Sequence, residues 1–322
     1  EPLPFARHAW VAAWYAAFAD APPAVAALWR GGELAGVLPL LEGRRAMAND
    51  ESPAFVPLAR DDEAHAALVQ AAAERAPAGL DLAAVRAGDV LARLEADLAR
   101  CGWVCDSRAF RASPLVETSG TYEAWRKLTK PRWRAQLDRL RRKAAREHEL
   151  ELALLREPGD LERELGRGLA VEASGWKGAA GTAIDAAPAT AAFYRDVARR
   201  FHALGELRTS AMTLDGELVA FDLCLLHGNR LWLLKTGYDP AARRLAPGLV
   251  LHLSVIERCF EDGLDAFELL GDDEEWKQKF ATAARETRTL HAAPRRSAGA
   301  TALALRRAAR PLVRRLRGRG TA

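Results

Sequence analysis

The stretch from residue 206 to residue 280 constrains the fold more than any other part of the chain. It contains three β-capable runs, at residues 207–214, 218–226 and 231–235, and the short connections between them contain the dipeptides Asp-Gly and Gly-Asn. Such dipeptides are typical of tight hairpin turns, so these runs are expected to form consecutive antiparallel strands. A further short strand is predicted at 266–270, followed by a helix at 271–280.

Between the third and fourth strands, a basic loop leads into an apolar helix. Arg243 and Arg244 precede Pro247 and Gly248, and residues 249–256 are apolar on most sides, which predicts a buried helix. The first N–H groups of a helix lack partners within it, and the helix dipole favours negative charge there. The loop is therefore predicted to bind an anion, with an ordinary β-to-α connection bearing two surface arginines as the alternative.

Several motifs in this stretch resemble the GNAT superfamily of acyl-CoA N-acyltransferases. The pyrophosphate loop of that superfamily reads Gln/Arg-x-x-Gly-x-Gly/Ala, and this chain has Arg243-x-x-Ala246-x-Gly248, with alanine at the first glycine position. Four further segments are similar to the CelD-type branch found beside bacterial polysaccharide genes: residues 49–53, 174–178, 235–240 and 271–277. A more distant similarity to the Fem aminoacyltransferases rests on residues 276–280, which match the motif Phe-Lys-x-x-Phe with tryptophan at its first position.

The resemblance covers residues 5–292 and implies an α/β (α+β) fold of tandem GNAT-like domains, each a mixed, mostly antiparallel sheet flanked by helices. It implies a degenerate N-terminal copy at 1–120, an acyltransferase domain at 121–293, and a basic amphipathic or disordered tail at 294–322. The implied reaction moves an acyl group, expected to be acetyl, from acyl-CoA to an amine on an amino sugar or on an envelope or exopolysaccharide precursor. Acetyl-CoA or another acyl-CoA is the expected co-substrate, and no metal is expected.

The expected reaction suggests roles for individual residues. Tyr238 is predicted to protonate the leaving thiolate, and Lys277 either to stabilise the oxyanion or to hold an acidic group of the acceptor. Asp239 and Asp272 are the favoured general bases, ahead of Glu172 and Asp222, because both lie in loops at predicted strand ends. Contacts with CoA are expected from Lys235, Arg243, Arg244, Ala246, Pro247, Gly248, Leu249 and Val250. Contacts with the acceptor are expected from Glu172, Trp176, Lys177 and Trp276.

Two other functions stay open because of the alanine in the pyrophosphate loop. A Fem-like transferase would take its acyl group from aminoacyl-tRNA, and an accessory protein without catalytic activity would use the fold only for binding in polysaccharide assembly. An arginine-rich helix, predicted to begin at Pro131 with Thr129 as its N-cap, is either a solvated basic face or a site for an anionic partner. Nucleic acid is an expected partner only under the tRNA-dependent alternative.

The first half is predicted to repeat the strand–hairpin and helix pattern. Helices are expected at 8–19, 63–75 and 90–100, strands at 24–30 and 34–41, and short strands at 103–107 and 115–117. This half lacks a basic, glycine-bearing loop before a helix, so it is expected to contribute to the shape of the protein or to bind the acceptor.

Length and cysteine content narrow the class of protein. A chain of 322 residues exceeds one ordinary hydrophobic core and fits two domains. Four irregularly spaced cysteines predict free thiols in a cytoplasmic protein, with Cys224 and Cys259 buried. No apolar run reaches the about 20 residues that span a bilayer, and the start shows no secretory signal.

The basic character of the chain is concentrated in its tail. Residues 295–322 hold nine arginines and no acidic residue, although the formal net charge of the whole chain is only +4. Leucine and arginine recur at helical spacing over 300–317, which predicts either a basic amphipathic helix on an anionic membrane surface or a disordered extension. An amphipathic helix on an anionic membrane surface would place the protein at the inner face of the membrane as a peripheral protein.

Overall fold

The computed structural model of the chain describes residues 3–174 and 187–317, with side chains described up to residue 309. Its helices, α1 to α10, are His8–Phe18, Asp62–Arg75, Asp89–Arg100, Tyr122–Leu128, Pro131–Glu147, Leu161–Ser174, Pro188–Ala203, Pro247–Glu261, Glu275–Gln278 and Ala298–Arg317. Its strands, β1 to β13, are Ala26–Arg30, Glu33–Leu38, Leu40–Leu41, Arg45–Ala46, Leu58–Ala59, Leu80–Arg86, Trp103–Glu117, Leu150–Arg156, Leu207–Leu214, Glu217–His227, Arg230–Tyr238, Ala266–Glu268 and Ala283–Pro294.

The chain forms two compact units, and each is assembled from separate segments. The first unit comprises Glu1–Phe18 and Ala112–Arg285, and the second comprises Ala19–Arg111 and Glu286–Ala322. The N-terminal helix belongs to the same unit as most of the second half of the sequence, and the basic tail belongs to the same unit as most of the first half.

The first unit is built on a sheet in the order β7–β12–β11–β10–β9–β8. Strands β8 to β11 form successive antiparallel pairs, and β11 and β12 are parallel because α8 connects them as a crossover. The predicted hairpin turns are present: Asp215, Gly216, Gly228 and Asn229 all have positive φ, as a type I′ turn requires. The sheet confirms the predicted α/β class, with mostly antiparallel strands flanked by helices.

Helix α8 packs against one face of this sheet and supplies the centre of the core. Its buried Leu251, Val255 and Ile256 lie in one apolar cluster with Leu233 and Phe267. Helix α6 packs against β10 and β11, where Gly237 permits a very close approach: a Cβ on Gly237 would lie 2.5 Å from the Cα of Glu172. This contact fixes the end of α6 beside the end of β11.

The second unit contains the sheet β3–β4–β6–β13–β7 and a separate sheet β1–β2–β5, with α2 and α3 packed together. The tail begins as helix α10, whose Leu303 is buried and whose Arg307 donates a hydrogen bond to the buried carboxylate of Asp106 at 3.1 Å. The first part of the tail is therefore an integral part of the fold.

Three details of the secondary structure differ from the sequence predictions. The two short strands predicted at 103–107 and 115–117 form the single strand β7, and the helix predicted at 271–280 is only the one turn α9. Thr129 does not cap α5, because its hydroxyl donates to the carbonyl of Arg126 at the end of α4 and Lys130 occupies the N-cap position.

All four cysteines are free, and Cys224 and Cys259 are buried as predicted. No helix in the described part of the chain is long and apolar enough to cross a membrane.

Candidate functional site

A cavity of about 440 Å³ lies in the first unit where β11 extends beyond β12. The two parallel strands are paired only from Arg230 to Trp232 on β11 and from Ala266 to Glu268 on β12. The next six residues of β11, 233–238, all line the cavity. Backbone groups on the β12 side of this segment therefore face the cavity, where they can pair with an extended ligand.

A bulge in β11 determines which side chains reach the cavity. Leu223 of β10 lies opposite Lys235 and Cys224 lies opposite Leu233, so Leu234 is the extra residue. Beyond the bulge, Lys235 places its Nζ 4.4 Å from the centre of the Tyr194 ring, and Thr236 lies opposite Asp222.

The N-terminus of α8 forms another part of the wall, contributed by Arg243, Ala246, Gly248 and Leu249. Ala246 adopts the left-handed conformation, with φ 47° and ψ 53°, and its N–H donates to the carbonyl of Arg243 at 3.1 Å. Pro247 has no N–H group, and the N–H of Val250 donates to Ala246 at 3.0 Å. Gly248 and Leu249 are thus the residues whose first-turn N–H groups are available for an anion.

Some of the residues predicted to bind CoA line the cavity, and others do not. Lys235, Arg243, Ala246, Gly248 and Leu249 line the cavity. Pro247 and Val250 are buried inside the unit, and Arg244 is exposed outside the cavity wall. The expectation that the Val250 N–H binds the anion is corrected, because that group makes the first hydrogen bond of the helix.

Lys277 lines the cavity, but its ammonium group is already hydrogen-bonded. Its Nζ donates to the carbonyls of Leu270 at 2.8 Å and Asp272 at 3.1 Å, and it pairs with Glu274 Oε1 at 2.9 Å. Three acceptors match the three hydrogens of an ammonium group. In this conformation Lys277 fastens the loop after β12, and an oxyanion would have to replace one of these acceptors.

The two favoured general bases lie outside the cavity wall. Asp239 caps the 3₁₀ helix Pro240–Leu245 by accepting a hydrogen bond from the N–H of Ala241 at 2.9 Å. The side chain of Asp272 is exposed, and its backbone carbonyl accepts a hydrogen bond from Lys277. Of the predicted acids, Glu172 is the one in the wall, and it is buried.

Tyr238 and Trp276 also line the cavity. The Trp276 indole N–H donates to Glu274 at 2.9 Å, so the same glutamate contacts both Trp276 and Lys277. Trp176 and Lys177, the other predicted acceptor contacts, lie outside the described residues. Over residues 3–174 and 187–317, no group of His, Cys, Asp or Glu side chains is arranged to hold a metal ion.

The sequence analysis missed His252, which is in the cavity wall on α8. Its Nε2 lies 3.1 Å from Oδ1 of Asp222 and 3.2 Å from the hydroxyl of Thr236, and its ring stacks on Trp276. The available signal was a histidine within an otherwise apolar helix, together with an aspartate within an apolar strand. Their contact joins residues 30 positions apart, so the spacing in the sequence gave no indication of it.

Comparison with known proteins agrees with this arrangement. Residues 131–278 match the family model described as an acetyltransferase (GNAT) domain, a range that contains the whole of β11, α8 and Lys277. This part of the chain is therefore similar to GNAT acetyltransferase domains. No curated protein sequence matches the chain significantly.

Solved structures share the fold at low sequence identity. The crystal structure of FemX has a TM-score of 0.61 and 12% identity, over 90% of this chain and 92% of that chain. The C-terminal domain of a lysylphosphatidylglycerol synthetase candidate from Agrobacterium fabrum has a TM-score of 0.55 and 16% identity, over 87% and 86%. L-PGS from Bacillus licheniformis has a TM-score of 0.51 and 14% identity, over 84% and 85%. These similarities concern the fold alone.

Proposed function

We propose that the protein transfers an acyl group, acetyl in the first instance, from acyl-CoA to an amine on an amino sugar or on an envelope or exopolysaccharide precursor. The observation that carries this proposal is that the open edge of β11 and the N-terminus of α8 meet in one cavity. An acyl-CoA needs both features, because it combines an extended chain of amide groups with a pyrophosphate.

In the proposed complex, the pantetheine amides pair with the backbone of β11 over residues 233–238. The pyrophosphate lies at the N–H groups of Gly248 and Leu249, with the guanidinium of Arg243 beside it. An anion in this position is favoured by the helix dipole and by the unpaired N–H groups. The thioester then lies near Thr236 and Tyr238, and the Tyr238 hydroxyl can give a proton to the departing sulfur.

The acceptor would occupy the part of the cavity between Trp276 and Glu172. The partly exposed indole offers a flat apolar surface that suits a sugar ring, and the buried carboxylate of Glu172 suits a cationic amine. Binding energy at these two groups would hold the amine near the thioester, which is the main requirement for a reaction whose electrophile is already activated.

The donor is tested by thermal unfolding with acetyl-CoA and with free CoA. A ligand at about 100 times its Kd stabilises the native state by about 2.7 kcal/mol. In a unit of this size that corresponds to a rise in Tm of about 5–11 °C. Arg243→Ala should abolish most of the shift because it removes the guanidinium in the wall. Arg244→Ala is the matched control and should keep the shift, since Arg244 lies outside the wall.

The proposal fails if neither acetyl-CoA nor CoA changes the Tm or binds in calorimetry. Gly248→Ala supplies a further test of the site. A Cβ there would meet only the Tyr238 side chain, at 3.6 Å, so the fold should be unaffected while the approach of a phosphate is hindered.

A Fem-like, aminoacyl-tRNA-dependent transfer is the second candidate, and one observation favours it. The end of helix α4, the turn after it and helix α5 carry exposed basic residues for which the described part of the chain shows no acidic partner: Lys127, Lys130, Arg132, Arg139 and Arg142. A polyanion would bind such a face. This candidate predicts binding of aminoacyl-tRNA in a mobility-shift assay and no effect of CoA on Tm. A role in polysaccharide assembly without catalysis predicts that neither donor is bound or consumed.

We also propose that the arginine-rich tail brings the protein to an anionic membrane surface from the cytoplasmic side. Exposed Leu305 and Arg306 at the start of α10, and the arginines that follow in the sequence, provide the apolar and basic groups that interfacial helices use. A membrane location would suit an acceptor that is an envelope precursor.

A further inference from the structure

Three side chains from different elements meet beneath Trp276: Asp222 of β10, Thr236 of β11 and His252 of α8. Asp222 and Thr236 are cross-strand neighbours, and the Nε2 atom of His252 lies 3.1 Å from the first and 3.2 Å from the second. Asp222 is fully buried and His252 is 3% exposed. Burying a carboxylate in an apolar strand and an imidazole in an apolar helix costs folding free energy. The presence of this pair therefore calls for a functional explanation.

The contacts determine where the hydrogens of this cluster lie. Nε2 faces two oxygen atoms, and a neutral imidazole satisfies the Asp222 carboxylate only if Nε2 carries the hydrogen. Nδ1 then holds the free lone pair. Within the described residues, neither Nδ1 of His252 nor Oδ2 of Asp222 has a hydrogen-bond partner. Nδ1 is buried on the cavity side as well as on the bulk side, so the groups that cover it must shift slightly before it exchanges a proton with the acceptor or with solvent.

The ring of His252 is packed among aromatic side chains. Its plane lies 11° from that of the Trp276 indole, with the ring centres 4.6 Å apart. The rings of Phe280 and Phe267 lie further away, with centres 6.2 and 6.5 Å from that of His252. An imidazole held this firmly does not need to reorient when its charge changes, which is what a proton-transferring group requires.

We propose that His252, oriented by Asp222, is the general base of this acyltransferase. This inference rests on the proposed function and names the residue that activates the acceptor. The acceptor enters as an ammonium ion and gives one proton to Nδ1 of His252, which forms an imidazolium paired with Asp222. The neutral amine attacks the thioester carbonyl, and the C–N bond forms. The C–S bond then breaks, and the second proton of the amine goes to the departing thiolate. The imidazolium returns its proton to solvent when the products leave.

The other ionisable groups near the cluster are less suited to this role. Cys224, two residues from Asp222, stays a thiol because burial, and then the Asp222 charge, raise its pKa well above its usual range. Lys277 and Glu274 pair with each other, and Lys235 lies against Tyr194. The charged or titratable groups that share the wall with His252 and act on its charge are Glu172, Lys235, Tyr238, Arg243, Glu274 and Lys277.

Fluorescence provides a test that does not depend on activity. Protonation of an imidazole stacked on an indole quenches the indole, so the tryptophan emission of the wild-type protein should change when a lower pH protonates His252. The change should disappear in His252→Asn and in Trp276→Phe. It should persist in His227→Gln, the matched control, because His227 pairs with Glu206 and lies outside the cavity wall. An emission change that survives in His252→Asn overturns the assignment.

Kinetics provide the second test, with glucosamine as the acceptor probe and released thiol as the readout. His252→Asn should lower kcat by about 100- to 10,000-fold, abolish the acidic limb of the pH profile, and leave the Kd for acetyl-CoA unchanged. Asp222→Asn should shift the acidic limb to lower pH, because loss of the negative charge makes the imidazolium less stable.

A kcat of His252→Asn within about three-fold of wild type, a change too small for loss of a base, overturns the proposal while the proposed function stands. Absence of acetyl-CoA binding to the wild type would instead overturn the proposed function, and the fluorescence titration would still test His252.

Discussion

Replacing Lys277 by methionine should destabilise the first unit, whatever it does to catalysis. The side chain is buried, and its ammonium group is bonded to the carbonyls of Leu270 and Asp272 and to Glu274. Leu270 has positive φ, at 47°, and so does Gly271. The lysine therefore stabilises a loop whose backbone is in a costly conformation. Methionine keeps the apolar stem but cannot donate a hydrogen bond to any of these acceptors.

The size of the effect follows from the burial of the acceptors. A buried carbonyl left without its donor costs about 1–3 kcal/mol. The hydrogen bond to Leu270 is buried, and the one to Asp272 is only partly buried, so the second contributes less. The pair with Glu274 adds little, because that carboxylate is 42% exposed and screened by water. The total is about 2–4 kcal/mol, which lowers the Tm by about 4–16 °C in a unit of this size.

Thermal unfolding followed by circular dichroism measures this loss, and Lys279→Met provides the matched control. Lys279 lies two residues further on and pairs only with the highly exposed Glu275 in the described structure. Its replacement should change the Tm by less than about 2 °C, since an exposed pair four residues apart contributes about 0.3–0.5 kcal/mol. Equal Tm values for the two variants would refute the view that Lys277 fastens the loop. That result would favour the predicted oxyanion role of Lys277, because the role requires the ammonium group to face the cavity.

Two further predictions concern the close backbone contact at Gly237 and the tail. Gly237→Ala should lower the Tm of the first unit by several degrees, because the new Cβ on β11 would lie 2.5 Å from the Cα of Glu172 on α6. Gly166→Ala on α6 is the control and should not lower the Tm, because a Cβ there meets nothing within 4 Å. Equal Tm values for the two variants would show that the contact at Gly237 is not tight. Deleting residues 310–322 should weaken sedimentation with anionic vesicles at low salt and leave the Tm unchanged. Deleting residues 295–322 should also lower the Tm, because it removes buried Leu303 and the contact between Arg307 and Asp106. If the protein without residues 310–322 binds vesicles as well as the wild type does, the tail has no role in lipid binding.

The features that sequence analysis predicted well are determined by residues close together in the chain. The three-strand meander follows from two turn dipeptides whose backbones need positive φ, and the start of α8 follows from a proline that suits the first turn of a helix. The loop at Arg243, Ala246 and Gly248 could be recognised because a single short motif contains the charge and the helix terminus.

The features that could not be predicted depend on contacts between distant segments. His252 became a candidate only when the fold placed it against Asp222 and Thr236, and Lys277 acquired its partners only because Leu270 turns its carbonyl toward the short helix α9. Asp239 was favoured as a base because it follows a strand. A residue in that position is equally suited to cap the next helical turn, and that is its role here.

The alanine in the pyrophosphate loop is better understood as a conformational cost than as a loss of the site. Ala246 occupies the left-handed conformation that glycine adopts freely, and this costs an alanine about 1–2 kcal/mol. The loop thus keeps the backbone course that leads into α8, and a Cβ at this position is tolerated. The consequence for binding lies at the next residue, since Pro247 removes one N–H from the helix terminus. Two backbone donors, Gly248 and Leu249, are left for an anion, and Arg243 at the edge of the same cavity adds the positive charge. Loss of Arg243 should therefore weaken anion binding more in this chain than in one whose loop offers a full set of N–H groups.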